Sequence, residues 1–270
     1  MKISFHGAGY FGLPFEEIVT RLANVGYDGI EPMCGPEAQL KPDELKASNR
    51  QAIKAFVAEQ GMEIAVLNPY RVQSMANMAK EGKAEAFYRQ LMELAADLGV
   101  PSVNFLSGFL PTGDTDGWRT LIDALKPLTR YGESIGVCLS IHNHEANTLD
   151  TPNKCNLIIQ HVGSPNLKLN FDATNFHILN YNIPSAVELT APHLIHCHFK
   201  GVVGMYPYNQ FLVPGEAGDE MDFEELAKAF GSVGYNRFIS VETFPQMRED
   251  KDVVAYNMIS STLAKLELRG

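Results

Sequence analysis

Several familiar features are missing from this chain, and each absence excludes something. Its four cysteines, Cys34, Cys138, Cys155 and Cys197, form no CxxC pair and no secreted-style spacing. Free thiols in a reducing compartment are therefore expected. No apolar run approaches the ~20 residues of a membrane helix. Met1 leads straight into the apolar stretch KISFHG, leaving no room for the charged and apolar regions of a signal peptide. A cytoplasmic location is the expectation. Basic clusters are lacking too, and the formal net charge is −10. Such a surface repels nucleic acid, so neither a nucleic-acid nor a membrane partner is expected. Linkers, low-complexity stretches and shifts of composition are absent, so residues 1–270 read as a single domain. With 270 residues and 45% hydrophobic content, that domain has the size of an α/β barrel and needs no disulfide support.

What is present is an alternation of strand and helix signals from end to end. Strands are expected at Lys2–Gly7, Asp28–Met33, Met62–Tyr70, Ser102–Gly108, Val137–His144, Leu167–Asn175, Leu194–Gly201 and Phe238–Phe244. Helical patterns follow them: after Pro14 to Val25, then Pro42–Glu59, Lys83–Leu98, Trp118–Ile135, Asn153–Val162, Pro184–Thr190, Phe223–Ser232 and Lys251–Leu268. Gly26, Gly61, Gly99 and Gly136 stand where helices should stop. Strands alternating with helices imply a parallel sheet, and eight units imply closure into a single (β/α)8 TIM barrel with its site at the C-terminal rim. A doubly wound open sheet is the competitor. It would need a Gly-rich first turn, and HGAGYFG matches GxGxxG poorly.

Four of the strand segments end in a metal-ligand type: His142 in VCLSIHNHE, Asp172 in LKLNFDATN, His198 in LIHCHFKG and Glu242 in FISVETF. Imidazole nitrogens and carboxylate oxygens together suit a borderline divalent ion such as Mn, Co, Zn or Fe. Period-two alternation puts His196, His198 and Lys200 on one face of the seventh strand, and Cys197 and Phe199 on the other. It likewise pairs His142 with His144 and Asn170 with Asp172. Any one such residue is usually a satisfied core group. Four on successive strand ends are not, because an unpaired buried charge costs several kcal/mol.

The segments GYDGIEPM, GVCLSIHNH, PNLKLNFDATN, HLIHCHFKG, VPGEAGDEMDFEELAKAF and GYNRFISVET together resemble the xylose isomerase-like barrel superfamily. The resemblance is to its sugar phosphate isomerase/epimerase branch, with tagatose 3-epimerase-like enzymes, hydroxypyruvate isomerase and inosose dehydratase. It covers nearly the whole chain. It implies that Asp172, His198 and Glu242 are ligands to one divalent ion, with Mn the first choice and Co, Zn, Fe or Mg as alternatives. The fifth strand departs from the pattern: many members carry Glu-x-His there, and this chain has His142-Asn143-His144. His142 is then either a fourth ligand or a free base. With His142 in place of a carboxylate, only Asp172 and Glu242 would balance the ion.

The chemistry implied by the resemblance is proton abstraction next to a carbonyl held by the metal, through an enediolate, on a keto-sugar or related small carbohydrate. Return of the proton to the other face gives an epimer, and return to the neighbouring carbon an isomer. Expulsion of a β-hydroxyl would make the protein a lyase or dehydratase of a keto-sugar or keto-inositol. Glu242 and then His142 are the acid/base candidates. Lys200, Glu31, His144 and Asn175 are the candidate substrate contacts. His196, His6 and Asn104 also face inward. The loop GVVGMYPYNQF, with Tyr206, Tyr208 and Phe211, is expected either over the site or in a contact between copies of a homo-oligomer. With no P-loop and no basic cluster at the rim, a non-phosphorylated substrate is expected. A repair endonuclease is disfavoured by Asn175 three residues after Asp172 and by the net charge. A non-catalytic sugar-binding barrel is the alternative of another class.

Overall fold

A computed structural model describes residues 1–69 and 73–270. Eight parallel strands form one curled sheet: β1 Lys2–His6, β2 Gly29–Glu31, β3 Glu63–Ile64, β4 Ser102–Phe105, β5 Cys138–His142, β6 Leu167–Asp172, β7 Leu194–Phe199 and β8 Phe238–Val241. Their order is β3-β2-β1-β8-β7-β6-β5-β4, so the first and last strands in sequence lie side by side and the chain runs once around the ring. The ring closes between β3 and β4 at Leu67. Its N–H donates to Ser102 O at 3.1 Å and its carbonyl accepts from Asn104 N at 2.9 Å. The TIM barrel expected from the alternation is the observed fold.

The helices are α1 Phe15–Val25, α2 Ala47–Glu59, α3 Met75–Lys80, α4 Ala84–Leu98, α5 Thr115–Ile135, α6 Pro152–Val162, α7 Ala173–Ile178, α8 Ile183–Thr190, α9 Phe223–Ser232 and α10 Lys251–Lys265. Local chemistry sets their limits. Asp114 accepts the Gly117 N–H at 2.8 Å and caps α5, and Gly136 ends it in the left-handed region at φ 72°. Gly132, inside α5, lies where a Cβ would come 2.2 Å from the Val137 carbonyl oxygen. Only glycine lets that helix approach β5 so closely. α1 and α10 are clamped by Arg21, whose Nε and Nη2 donate to the enclosed Asp252 carboxylate at 2.6 and 2.9 Å.

Most boundaries agree with the sequence within a few residues, with three informative exceptions. The helix expected from Pro42 begins at Ala47, because residues 41–46 turn instead of winding. The third strand pairs with β2 over Glu63–Ile64 only, and Asn68–Pro69 pair separately with Met33–Cys34. Tyr70, its expected last residue, lies outside the described residues. The sixth strand stops at Asp172, and the expected strand residues Ala173–Asn175 are already the first turn of α7.

Outward-facing strand residues pack against the helices. On β7, Cys197 and Phe199 are buried, and the Phe199 ring lies 5.9 Å from Phe223 and 5.8 Å from Phe230. Inward-facing positions are polar to an unusual degree for a barrel core: Ser4, Glu31, Asn104, Ser140, Asn170, His196 and His198 are all buried. All four cysteines are free. Among the described residues, no helix is long and apolar enough to cross a membrane.

Candidate metal and active site

The strand register brings the expected ligands together. Asp172 pairs with His198 across β6 and β7, and His142 ends β5 beside Asn170. Glu242 follows β8 directly, and its N–H donates to Phe199 O at 3.0 Å. As a result, His142, Asp172, His198 and Glu242 each offer a ligand atom, all within 4.8 Å of one another. His142 Nε2 is 3.1 Å from Asp172 Oδ2, and His198 Nδ1 is 3.0 Å from Glu242 Oε2 and 3.9 Å from Asp172 Oδ2.

Asp172 divides its oxygens between two tasks. Oδ1 accepts the Asn175 N–H at 2.9 Å and caps α7, which leaves Oδ2 for the cluster. Asn143 pins this carboxylate from behind. Its Oδ1 accepts the Asp172 N–H at 2.7 Å and its Nδ2 donates to Asp172 O at 3.0 Å. The strand pattern gives no sign of this role, because alternation turns Asn143 away from His142. β5 has ended by then, so Asn143 is free to reach β6.

Lys200, expected as a substrate contact, is buried, with Nζ 2.6 Å from Asp172 Oδ2, 3.2 Å from Glu242 Oε2 and 3.3 Å from Asn175 Oδ1. The ring of Phe211, on the hairpin that follows β7, lies 4.9 Å from the same ammonium. Phe211 thus contacts the site, while Tyr206 and Tyr208 are 46% and 91% exposed. His144 sits just past β5, its ring 6.0 Å from His142 and its Nδ1 3.1 Å from Glu145 Oε2. Asn175 donates through Nδ2 to Asn143 O at 3.0 Å.

Glu31, expected as a substrate contact, lies one layer deeper and is fully enclosed. Around it are His6, Asn68, Asn104, His196 and His198. Counting only Asp172 and Glu242 therefore underestimates the buried charge: Lys200 adds a cation and Glu31 a third carboxylate.

These charges reshape one another's titration. Burial pushes the His142 imidazole down to about 4, against its hydrogen bond to Asp172. Burial would raise the Asp172 carboxyl, but the Lys200 ammonium and His142 outweigh it and hold it at about 2. For Glu242 burial is likewise outweighed, by Lys200, His6 and His198, and its pKa falls well below the usual carboxylate range. Burial would lower His198, yet Glu31 and Glu242 raise it to about 10. Lys200 is also raised, because Asp172 and Glu242 overcome the effect of burial.

A divalent ion fits this donor set. Two imidazoles and two carboxylates suit a borderline cation. His198 Nδ1 is buried and near Glu242 without a directed hydrogen bond, which leaves that atom available to a ligand position. A separate cavity of about 430 Å³, lined by Lys2, Lys54, Met62, Arg237 and Phe238 among others, lies at the strands' opposite, N-terminal ends. In barrels of this kind the chemistry belongs to the C-terminal face, where the cluster is.

Known proteins resemble this chain over most of its length. Fructoselysine 3-epimerase of Escherichia coli O157:H7 is 25% identical over 254 residues, which cover 90% of this chain and 90% of that protein. A putative hydroxypyruvate isomerase of Homo sapiens is 24% identical, with coverage of 87% and 85%. The crystal structure of D-psicose 3-epimerase with D-tagatose from Clostridium cellulolyticum H10 superposes with a TM-score of 0.79, at 16% identity and complete coverage of both chains, which shows the shared fold. The family model described as xylose isomerase-like TIM barrel matches residues 19–257, and the chain belongs to that family.

Proposed function

We propose that this protein is a divalent-metal-dependent isomerase or epimerase of a keto-sugar or related small carbohydrate, acting in the cytoplasm by proton abstraction beside a carbonyl. One observation carries the reading: His142, Asp172, His198 and Glu242 converge within 4.8 Å at the ends of four strands. Similar proteins named as an epimerase and a putative isomerase support it.

A bound divalent ion, with Mn the first choice, supplies Lewis acidity that stabilises negative charge on the substrate oxygen. The side chains divide the remaining work by their access. Asp172 and His198 are 0% exposed, whereas His142 and Glu242 are 6% and 8% exposed. Asp172 and His198 therefore hold, and Glu242 and His142 face the open side where a substrate arrives. Glu242 is a carboxylate at neutral pH, able to take the carbon-bound proton and return it. His142 is neutral there, so it serves as a ligand or as the second base. The Lys200 ammonium, 1% exposed, is the exception to this division: freed from the Asp172 and Glu242 oxygens when an ion takes them, it holds the developing oxyanion. His144, at the edge of the site, contacts the substrate.

The test is to strip the protein, reload it with Mn, and incubate it with a panel of keto-sugars in heavy water. Ion-dependent uptake of deuterium into a substrate, lost in Glu242→Gln, is the expected result. Release of water in place of exchange would move the assignment to the dehydratase alternative. One ion per chain with neither exchange nor elimination on any sugar would leave a sugar-binding barrel.

A further inference from the structure

Glu31 is enclosed in the barrel axis, and four side chains from three segments converge on it. Oε1 accepts from Asn68 Nδ2 at 2.9 Å and from Asn104 Nδ2 at 3.1 Å. Oε2 lies 2.8 Å from His198 Nε2 and 3.1 Å from His196 Nε2. An ionised carboxylate only accepts, so the nitrogen that His198 turns toward it bears the proton. Asn170 Nδ2 lies 3.1 Å from the same His198 Nε2 while its Oδ1 is buried without a partner, and exchanging the two amide atoms satisfies both. With the amide turned, that oxygen accepts from the same N–H. A ligand imidazole keeps one N–H, so an ion that takes the place of the Nδ1 proton between Asp172 and Glu242 leaves the remaining proton on Nε2.

We infer that Glu31 is a positioning residue that fixes the tautomer and ring plane of His198, so that Nδ1 is the atom offered to a divalent ion. The inference rests on the metal-dependent reading proposed above. Its logic is that of carboxylate–histidine–metal arrangements, in which the outer carboxylate orients the ligand and raises its basicity. It also answers a shortage of charge. With His142 on the fifth strand the ligand set holds two carboxylates, and Lys200 offsets one of them. Glu31 returns negative charge through the imidazole without taking a coordination position. His6, Glu31 and His198 also come within 4.8 Å of one another, but a second ion there would displace the amide donors that Glu31 already accepts.

Two measurements test this. Titration of the stripped protein with Co(II), followed by visible absorption, should give one ion per chain, with Glu31→Gln weakening binding roughly 10- to 100-fold. The melting temperature of the metal-free variant reports any purely structural loss, which by itself would leave the ion affinity unchanged. The second measurement needs no variant: in Cd-113-loaded, N-15-histidine-labelled wild type, coupling to cadmium should appear at His198 Nδ1 with a proton retained on Nε2. Coupling at Nε2, or wild-type affinity in Glu31→Gln, overturns the inference and leaves the metal reading standing. Two ions per chain also overturns it, in favour of a second site at His6 and Glu31. No ion bound to wild type defeats both readings.

Discussion

Asp172 and Lys200 meet at 2.6 Å through Oδ2, while the other oxygen of Asp172 caps the helix that begins one residue later. A single carboxylate thus joins the chemistry of the rim to the local folding of α7.

The two tasks separate by substitution. Asn can cap a helix as well as Asp can, but its amide is a poor ligand for a divalent ion. Asp172→Asn should lose ion binding and keep most of the cap, whereas Asp172→Ala should lose both, with about 1 kcal/mol of further destabilisation. Urea melts of the two metal-free variants measure the difference. Equal melts would mean that the cap contributes nothing to stability.

Lys200 neutralises the carboxylates in the metal-free protein. Lys200→Met should leave Asp172 and Glu242 buried without their cation and destabilise the metal-free state by about 3 to 5 kcal/mol. Added Mn should then raise the melting temperature of the variant more than that of wild type. An identical ion-induced shift would show that Lys200 and the ion do not share these oxygens.

Histidine titration gives the metal-free protein a stability maximum with two flanks. His142 has a folded pKa of about 4, below the unfolded value of about 6.5. The unfolded state therefore binds the proton first, and stability falls as pH drops from 6.5 to 4, by about 3 kcal/mol from this group. His6 and His196 are lowered too, burial being the largest cause, and add to the same flank. His198 is raised to about 10, so its contribution is complete below 6.5 and is lost as pH climbs through 10. Denaturant melts across this range, with His142→Asn flattening the acid flank, test the assignment. An unchanged acid flank in that variant would reassign it to the deeper histidines.

His142 also sets the charge of the ion site. His142→Glu adds a third carboxylate beside Asp172 and Glu242 and should make a bound ion a weaker Lewis acid. Tighter Mn binding with a slower exchange rate and a shifted pH profile is expected. A rate and profile equal to wild type would remove His142 from any electronic role.

The barrel and its four rim residues were legible in the sequence because each rests on a local signal: alternating segments, glycine stops, and a ligand type at a strand end. The deeper layer was not. Glu31 reads as a rim residue from β2 alone, and its enclosure follows from side chains of other segments, His196, His198, Asn68 and Asn104, that close on its carboxylate. Asn68 belongs to a separate two-residue pairing beyond β3 and Asn143 stands just past the end of β5, so period-two reasoning along one strand reaches neither. Lys200 follows the right alternation, but its partners Asp172, Asn175 and Glu242 and the Phe211 ring come from other segments.

Ring closure between β3 and β4 runs through Leu67, whose N–H and carbonyl bond to Ser102 O and Asn104 N. Glu31 reinforces it from inside, since Asn68 and Asn104, on the two sides of that junction, both donate to its Oε1. Opening there would release the same carboxylate that holds His198. Ion loading at the rim should therefore slow amide hydrogen exchange at Leu67 and Asn104, neither of which is a ligand, because this seam of the barrel and its site share one set of bonds.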